Sequence, residues 1–251
     1  VVLDLRNNPG GLLDQAIKVS DAFLNRGEIV STRSRKVDDA QRFNAKKGDL
    51  AEKLPIVVLI NGGSASASEI FAGAIQDYGR GVIVGSQTFG KGTVQTLVPL
   101  NRGQPKITAA KFYRVSGQST QHQGVMPDVS FPNLYNTDHI GESALDDAMP
   151  WDVIQAASFD AYGQISSLLP ELNTRHKDRV EDNIEFDYFR AIGQKGVENA
   201  SRTHISLNEA TRKTEKAADD QWRLGLENSI RTAKGKPPAL SLDQLDELIE
   251  A

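Results

Sequence analysis

The sequence predicts a mixed α/β protein whose first half is a compact core and whose second half is helical. Two observations carry this. Apolar, β-branched runs twice end in a glycine-rich turn and pass into a segment of helical period, over residues 1–24 and 56–79. After about Pro132 the segments become charged and helix-periodic, with few β-branched runs. With 251 residues the chain exceeds one average domain, so the expected division is a core over 1–132 and a helical module over 133–251.

Each element follows from local chemistry. Residues 1–5 form a strand-like run stopped by Asn7-Asn8-Pro9-Gly10-Gly11, a cluster of turn formers. Leu12, Leu13, Ala16, Ile17, Val19, Ala22 and Phe23 recur at helical spacing, and Asn25-Arg26-Gly27 ends that helix. Residues 31–53 are polar without a clean period and are expected to form a surface excursion with irregular strands. Ile56-Val57-Val58-Leu59-Ile60 is a continuous apolar run, as in a strand buried on both faces. A turn follows, then a helix through Ile70, Phe71, Ala74 and Ile75 that ends near Gly79. Further strands are expected at 82–84, 93–100 and 106–115, with a short extended piece at 125–129. In the second half, helical character is expected over 144–157, which contains a Pro150-Trp151-Asp152 helix start with Trp151, Ile154 and Ala157 on one face. Other helices are expected within 187–192, 206–217 and 240–251, with Lys234-Gly235-Lys236-Pro237-Pro238 as a linker.

Composition excludes several functions. Apolar residues make up 39% and charged residues 25%, so the chain has enough apolar material to fold. A net charge of −4 and scattered lysines and arginines give no footprint for nucleic acid. The absence of cysteine excludes disulfides, thiolate metal sites and a cysteine nucleophile. No apolar run approaches the roughly 20 residues that span a bilayer. No metal or cofactor is expected.

The chemistry concentrates at the turns. The Gly10-Gly11 turn and the Ser64-Ala65-Ser66-Ala67-Ser68 turn each place small residues at a helix start, where backbone N–H groups are free. A serine among alanines is sterically open to a carbonyl, and the next N–H points where an oxyanion forms. Ser66 followed by Glu69 also fits a capping box, a purely structural role. The histidines at 122, 139, 176 and 204 lie outside the glycine-turn core, which argues against a Ser-His-Asp triad. His122 is expected to be a solvated loop residue. Lys91, in Thr88-Phe89-Gly90-Lys91-Gly92-Thr93, is the better base, because apolar surroundings favour its neutral form. Gly85-Ser86-Gln87-Thr88-Phe89-Gly90-Lys91 also fits the opening of a phosphate loop. Gly92 then stands where a Ser or Thr is needed, and a strand follows where a helix is needed.

Three motifs, Asp4-Leu5-Arg6-Asn7-Asn8-Pro9-Gly10-Gly11, Gly63-Ser64-Ala65-Ser66-Ala67-Ser68-Glu69-Ile70 and Thr88-Phe89-Gly90-Lys91-Gly92-Thr93-Val94-Gln95, resemble the C-terminal processing peptidases, Ser/Lys proteases of the S41 type. The likeness extends to about Pro132 through Lys111-Phe112-Tyr113 and Gly124-Val125-Met126-Pro127-Asp128. The later half, with Leu145-Asp146-Asp147-Ala148-Met149-Pro150-Trp151-Asp152, resembles the helical C-terminal region of the tail-specific branch.

The resemblance implies a crotonase-like ββα core and a serine endopeptidase acting on proteins with apolar C-terminal tails. It implies Ser66 as nucleophile, with the lysine 25 residues later at Lys91, and Gln95 orienting the amine. Ala67 and one of Gly10 and Gly11 would donate to the oxyanion, while Ser64 and Ser68 would be structural. The family's PDZ domain, which captures substrate C-termini, is expected upstream of residue 1 with the first strands of the protease domain. A periplasmic location is implied as well. The competing possibilities are an acyl-transfer enzyme or a catalytically inactive scaffold on the same fold. For the helical half, two roles stand open: docking a protein adaptor or covering the active site.

Overall fold

The computed structural model describes residues 1–134, 140–162 and 165–250. In chain order the first elements are β1 (Val2–Asp4), α1 (Leu13–Asp21), β2 (Glu28–Arg33), β3 (Gln41–Asn44), β4 (Val57–Ile60), α2 (Ala67–Asp77), β5 (Val82–Gly85), β6 (Thr93–Leu97), β7 (Lys106–Tyr113) and β8 (Val129–Ser130). The helices α3 (Ile165–Val180), α4 (Ile184–Ala200), α5 (Glu209–Ala233) and α6 (Leu242–Glu250) follow. Contacts group the chain into two compact units, Val1–His176 and Lys177–Ala251.

The first unit holds two sheets. One is parallel, in the order β1-β4-β5-β8. Its crossovers are long, as parallel pairing requires: α1 with β2 and β3 joins β1 to β4, α2 joins β4 to β5, and β6 and β7 lie between β5 and β8. The other is antiparallel, in the order β3-β2-β7-β6. The core contains Leu24, Ile29, Ile56, Val58, Ile60, Ile75, Ile83 and Phe112, all buried. Each such side chain contributes about 1.5–3 kcal/mol by leaving water. α1 and α2 pack together near the Phe23–Phe71 edge-to-face pair, 5.8 Å between centroids.

Three expectations require correction. Residues 31–53 are not wholly a surface excursion: β2 lies between β3 and β7, and its Ser31 and Thr32 are buried. Its polar side chains hide a central strand whose stability comes from the ladder on both sides. The helix expected over 144–157 does not form. Glu142–Ala144 makes a single 3-10 turn, and residues 151–157 run extended, with Val153 bridged to Gln118. Asp152, expected in a helix start, instead accepts from Lys111 Nζ (2.5 Å) and Tyr113 OH (3.0 Å), and Trp151 Nε1 donates to Ser119 O (2.9 Å). Ile154 and Ala157 donate backbone bonds to Gly117 and Val115. Finally, α3 was not expected, because Pro170 within it masks the helical pattern.

In the second unit, α4 and α5 pair in antiparallel register. Tyr188 OH donates to Glu227 (2.7 Å), and farther along α4 Lys195 meets Asp219 (2.9 Å), which lies earlier in α5. Asn183 and Asn208 cap the two helices through their side-chain oxygens. Leu245 of α6 is buried. Ala251, the end of the helix expected over 240–251, and His139 lie outside the described residues. No described helix is long and apolar enough to cross a membrane.

Candidate active site

β1 and β4 are parallel neighbours, so the turns that follow them lie side by side at the carboxyl ends of their strands. The two turns are stitched together. Ser64 Oγ donates to Leu5 O (2.7 Å), Ser68 Oγ to Asn8 O (3.0 Å), and Ala65 N to Asn8 O (3.0 Å). Asn7 and Asn61 exchange two further bonds, each 2.9 Å. Ser64 and Ser68 are thus occupied in holding the turns.

Ser66 stands at the start of α2 with φ 54° and ψ −110°, a conformation rare outside glycine. A sharp strand-to-helix turn of this kind is how α/β hydrolases lift a nucleophile clear of its neighbours. Gly10 lies directly against the turn, with φ 88°. A Cβ there would come within 2.5 Å of Ala65 O and 2.6 Å of Ala67 N. The Gly10 N–H already donates to Asn8 Oδ1 (3.0 Å). Among the described residues the N–H groups of Gly11 and Ala67 have no acceptor.

Glu69, three residues into the same turn, has a role that sequence pattern alone hid. Its carboxylate does reach back to Ser66 N–H (2.6 Å), as a capping box requires. It also accepts from Lys91 N (2.9 Å), Gly90 N (2.7 Å) and Thr88 Oγ1 (2.5 Å). One buried carboxylate therefore fastens the Ser66 peptide to the Lys91 peptide. Burial pushes its pKa up to about 7, against the four hydrogen bonds, which favour the anion. The signal available in the sequence was an acid followed at once by Ile70-Phe71-Ala72, at the start of the apolar stretch of the helix.

Lys91 is half-buried, and burial lowers its pKa from the ordinary lysine value. The charge of Lys106 lowers it further, while Glu142 and Glu69 oppose the shift. The amine donates to Thr93 O (3.3 Å) and Thr93 Oγ1 (3.4 Å). No direct hydrogen bond joins it to Ser66 or Gln95 among the described residues. Its loop is pinned from behind: a Cβ on Gly90, at φ 87°, would lie 2.7 Å from His122 O. The ladder between β6 and β7 is irregular between Val94 and Gln95: Val94 pairs with Ala110 and Gln95 with Thr108, leaving Ala109 of β7 as the extra residue.

These parts enclose a cleft of about 370 Å³. Its walls include Gly10, Gly11, Ser66, Ala67, Lys91 and Gln95, so all six sequence-derived candidates meet in one place. No histidine lines it. His122 is not a solvated residue as expected: its Nε2 is buried without a hydrogen-bond partner, and its own N–H donates to Gly90 O (2.8 Å). The stretch from Gly85 to Lys91 runs into β6 rather than a helix, so it lacks the architecture of a phosphate loop.

Residues 1–131 match the sequence profile of peptidase family S41. The chain belongs to that family. Residues 135–250 match the C-terminal domain of tail specific protease. Among S41 relatives, a carboxy-terminal-processing protease of Bartonella bacilliformis is 64% identical over 129 residues, 51% of this chain and 30% of that protein. A tail-specific protease of Haemophilus influenzae is 38% identical over 266 aligned residues, 100% of this chain and 38% of that protein. Among solved structures, the photosystem II D1 C-terminal processing protease is 38% identical with a TM-score of 0.48, covering 55% of this chain and 36% of that one. The chain thus spans about a third of the length of these curated S41 relatives. The family resemblance carried by the three motifs is borne out.

Proposed function

We propose that this S41 chain carries the peptide-bond chemistry of a serine endopeptidase, with Ser66 as nucleophile and Lys91 as general base. The observation behind it is the single cleft in which a serine on a positive-φ turn, a half-buried lysine and two unengaged N–H groups converge. Neutral Lys91 takes the Ser66 proton as Oγ attacks the carbonyl, then returns it to the departing amine. Water resolves the acyl-enzyme. Ala67 and Gly11 are the oxyanion donors, because the Gly10 N–H is already bound; each donor lowers the barrier by about 3–4 kcal/mol. Gln95, beside the amine, directs it once substrate fills the cleft.

On this reading residues 1–132 are the catalytic core and 133–251 a helical domain. The substrates are proteins processed at apolar C-terminal tails, in the bacterial periplasm. Tail capture belongs to a PDZ module, and the helical domain docks a protein adaptor. Intact-mass analysis of products from the complete protein, beside Ser66→Ala, tests the core of this. New termini in the wild type alone support it. The same products from both enzymes rule out Ser66. No cleavage of peptides by either favours an inactive scaffold.

A further inference from the structure

Lys106 opens β7, where it pairs with Leu97 of β6. Two residues along, Thr108 pairs with Gln95, and period-two alternation puts Lys106 and Thr108 on the same face. Lys106 and Gln95 line the same cleft as Ser66, while Thr108 lines the neighbouring one. The Lys106 side chain is exposed and, among the described residues, makes no hydrogen bond and no ion pair. No acid lines this cleft.

Lys91 must be neutral to act as base. Lys106 is then the fixed charge of the working cleft, without a counterion. Beyond Thr93 and Gln95, which both clefts share, a second cleft of about 420 Å³ carries Glu142, Asp146 and Asp147. A peptide in the first cleft therefore meets the Lys106 cation, while acids line the neighbouring cleft. Such a field favours a substrate anion in the first cleft over the second.

We propose that Lys106 is a specificity-determining residue, whose ammonium receives a carboxylate of the bound peptide within about two or three positions of the scissile bond. This rests on Ser66 and Lys91 being the reacting pair. The carboxylate comes from an Asp or Glu side chain or from a free C-terminus. Lys106 stands in water, so the preference is modest and weakens with salt.

The test uses the complete protein and two sets of fluorogenic peptides. One set places Glu, Gln or Lys at each of three positions on either side of the scissile bond. The other ends in a free acid or an amide. Wild type is expected to favour a carboxylate at one position by about three- to fivefold in kcat/KM at low salt. Lys106→Met is expected to abolish that ratio, and Lys106→Glu to invert it toward a lysine-bearing peptide. The set that shows the ratio identifies the source of the carboxylate. Equal cleavage of every pair by wild type, or a ratio that survives in Lys106→Met, overturns the role of Lys106 alone. A wild type that cleaves neither set overturns the protease reading, and this inference with it.

Discussion

Replacing Ser66 by alanine removes a hydroxyl and little else, since either residue must adopt the same positive φ. Ser66→Ala is therefore expected to fold normally and cleave nothing. Ser64→Ala and Ser68→Ala each break bonds between the two turns, at about 1 kcal/mol per bond, and should stay active with a lowered melting temperature. Equal loss of activity in all three would show that the turn, not one nucleophile, was being probed. Glu69 gives a second residue-scale prediction. Its carboxyl has a folded pKa of about 7 against an ordinary 4.5, so the fold prefers the protonated form. That contribution is full below about pH 4.5 and is lost as pH rises through about 7, with a size of order 3 kcal/mol. Thermal melts in a Ser66→Ala background should show a decline over that window that Glu69→Gln flattens. Identical slopes would place the titration elsewhere. That Ser66 and Lys91 share one cleft was legible from the motifs. Gly10 and Gly11 look equivalent in the sequence, and only the folded turn shows that Gly10 N–H donates to Asn8.

At the scale of elements, the extended segment 151–157 shows how tertiary contacts override a local pattern. Pro150-Trp151-Asp152 has the composition of a helix start, yet Lys111 is 7% exposed and needs the Asp152 carboxylate. A helix would satisfy its own backbone and leave that ammonium unpaired in β7. β2 was obscured for a related reason: its ladder partners, not its side chains, make Ser31 and Thr32 strand residues. β1 and β4, with the helices α1 and α2 that follow them, were readable because each carries its own apolar run and glycine turn. Lys111→Ala is expected to free residues 151–157 from β7, shown by faster amide hydrogen exchange at Ile154 and Ala157 and a loss of about 2 kcal/mol. Unchanged protection there would mean that Trp151 and the backbone bonds hold the segment alone.

For the whole molecule, the arrangement divides labour. The parallel sheet brings two turns together, the antiparallel sheet supplies the wall with Gln95 and Lys106, and the Glu69 carboxylate joins the serine turn to the lysine loop. The chain covers about a third of its S41 relatives. The central claim is that Lys91 is an unprotonated base acting on Ser66. The most direct measurement is the single-turnover rate of peptide cleavage across pH for the complete wild-type protein and Lys91→Arg. Burial lowers the Lys91 pKa, so the wild-type rate should be flat above that lowered value and fall as pH drops through it. Arginine stays protonated at every workable pH, so Lys91→Arg should be inactive throughout. Substantial cleavage by Lys91→Arg would contradict the account, leaving Lys91 as a cation beside the oxyanion and the base still to be found.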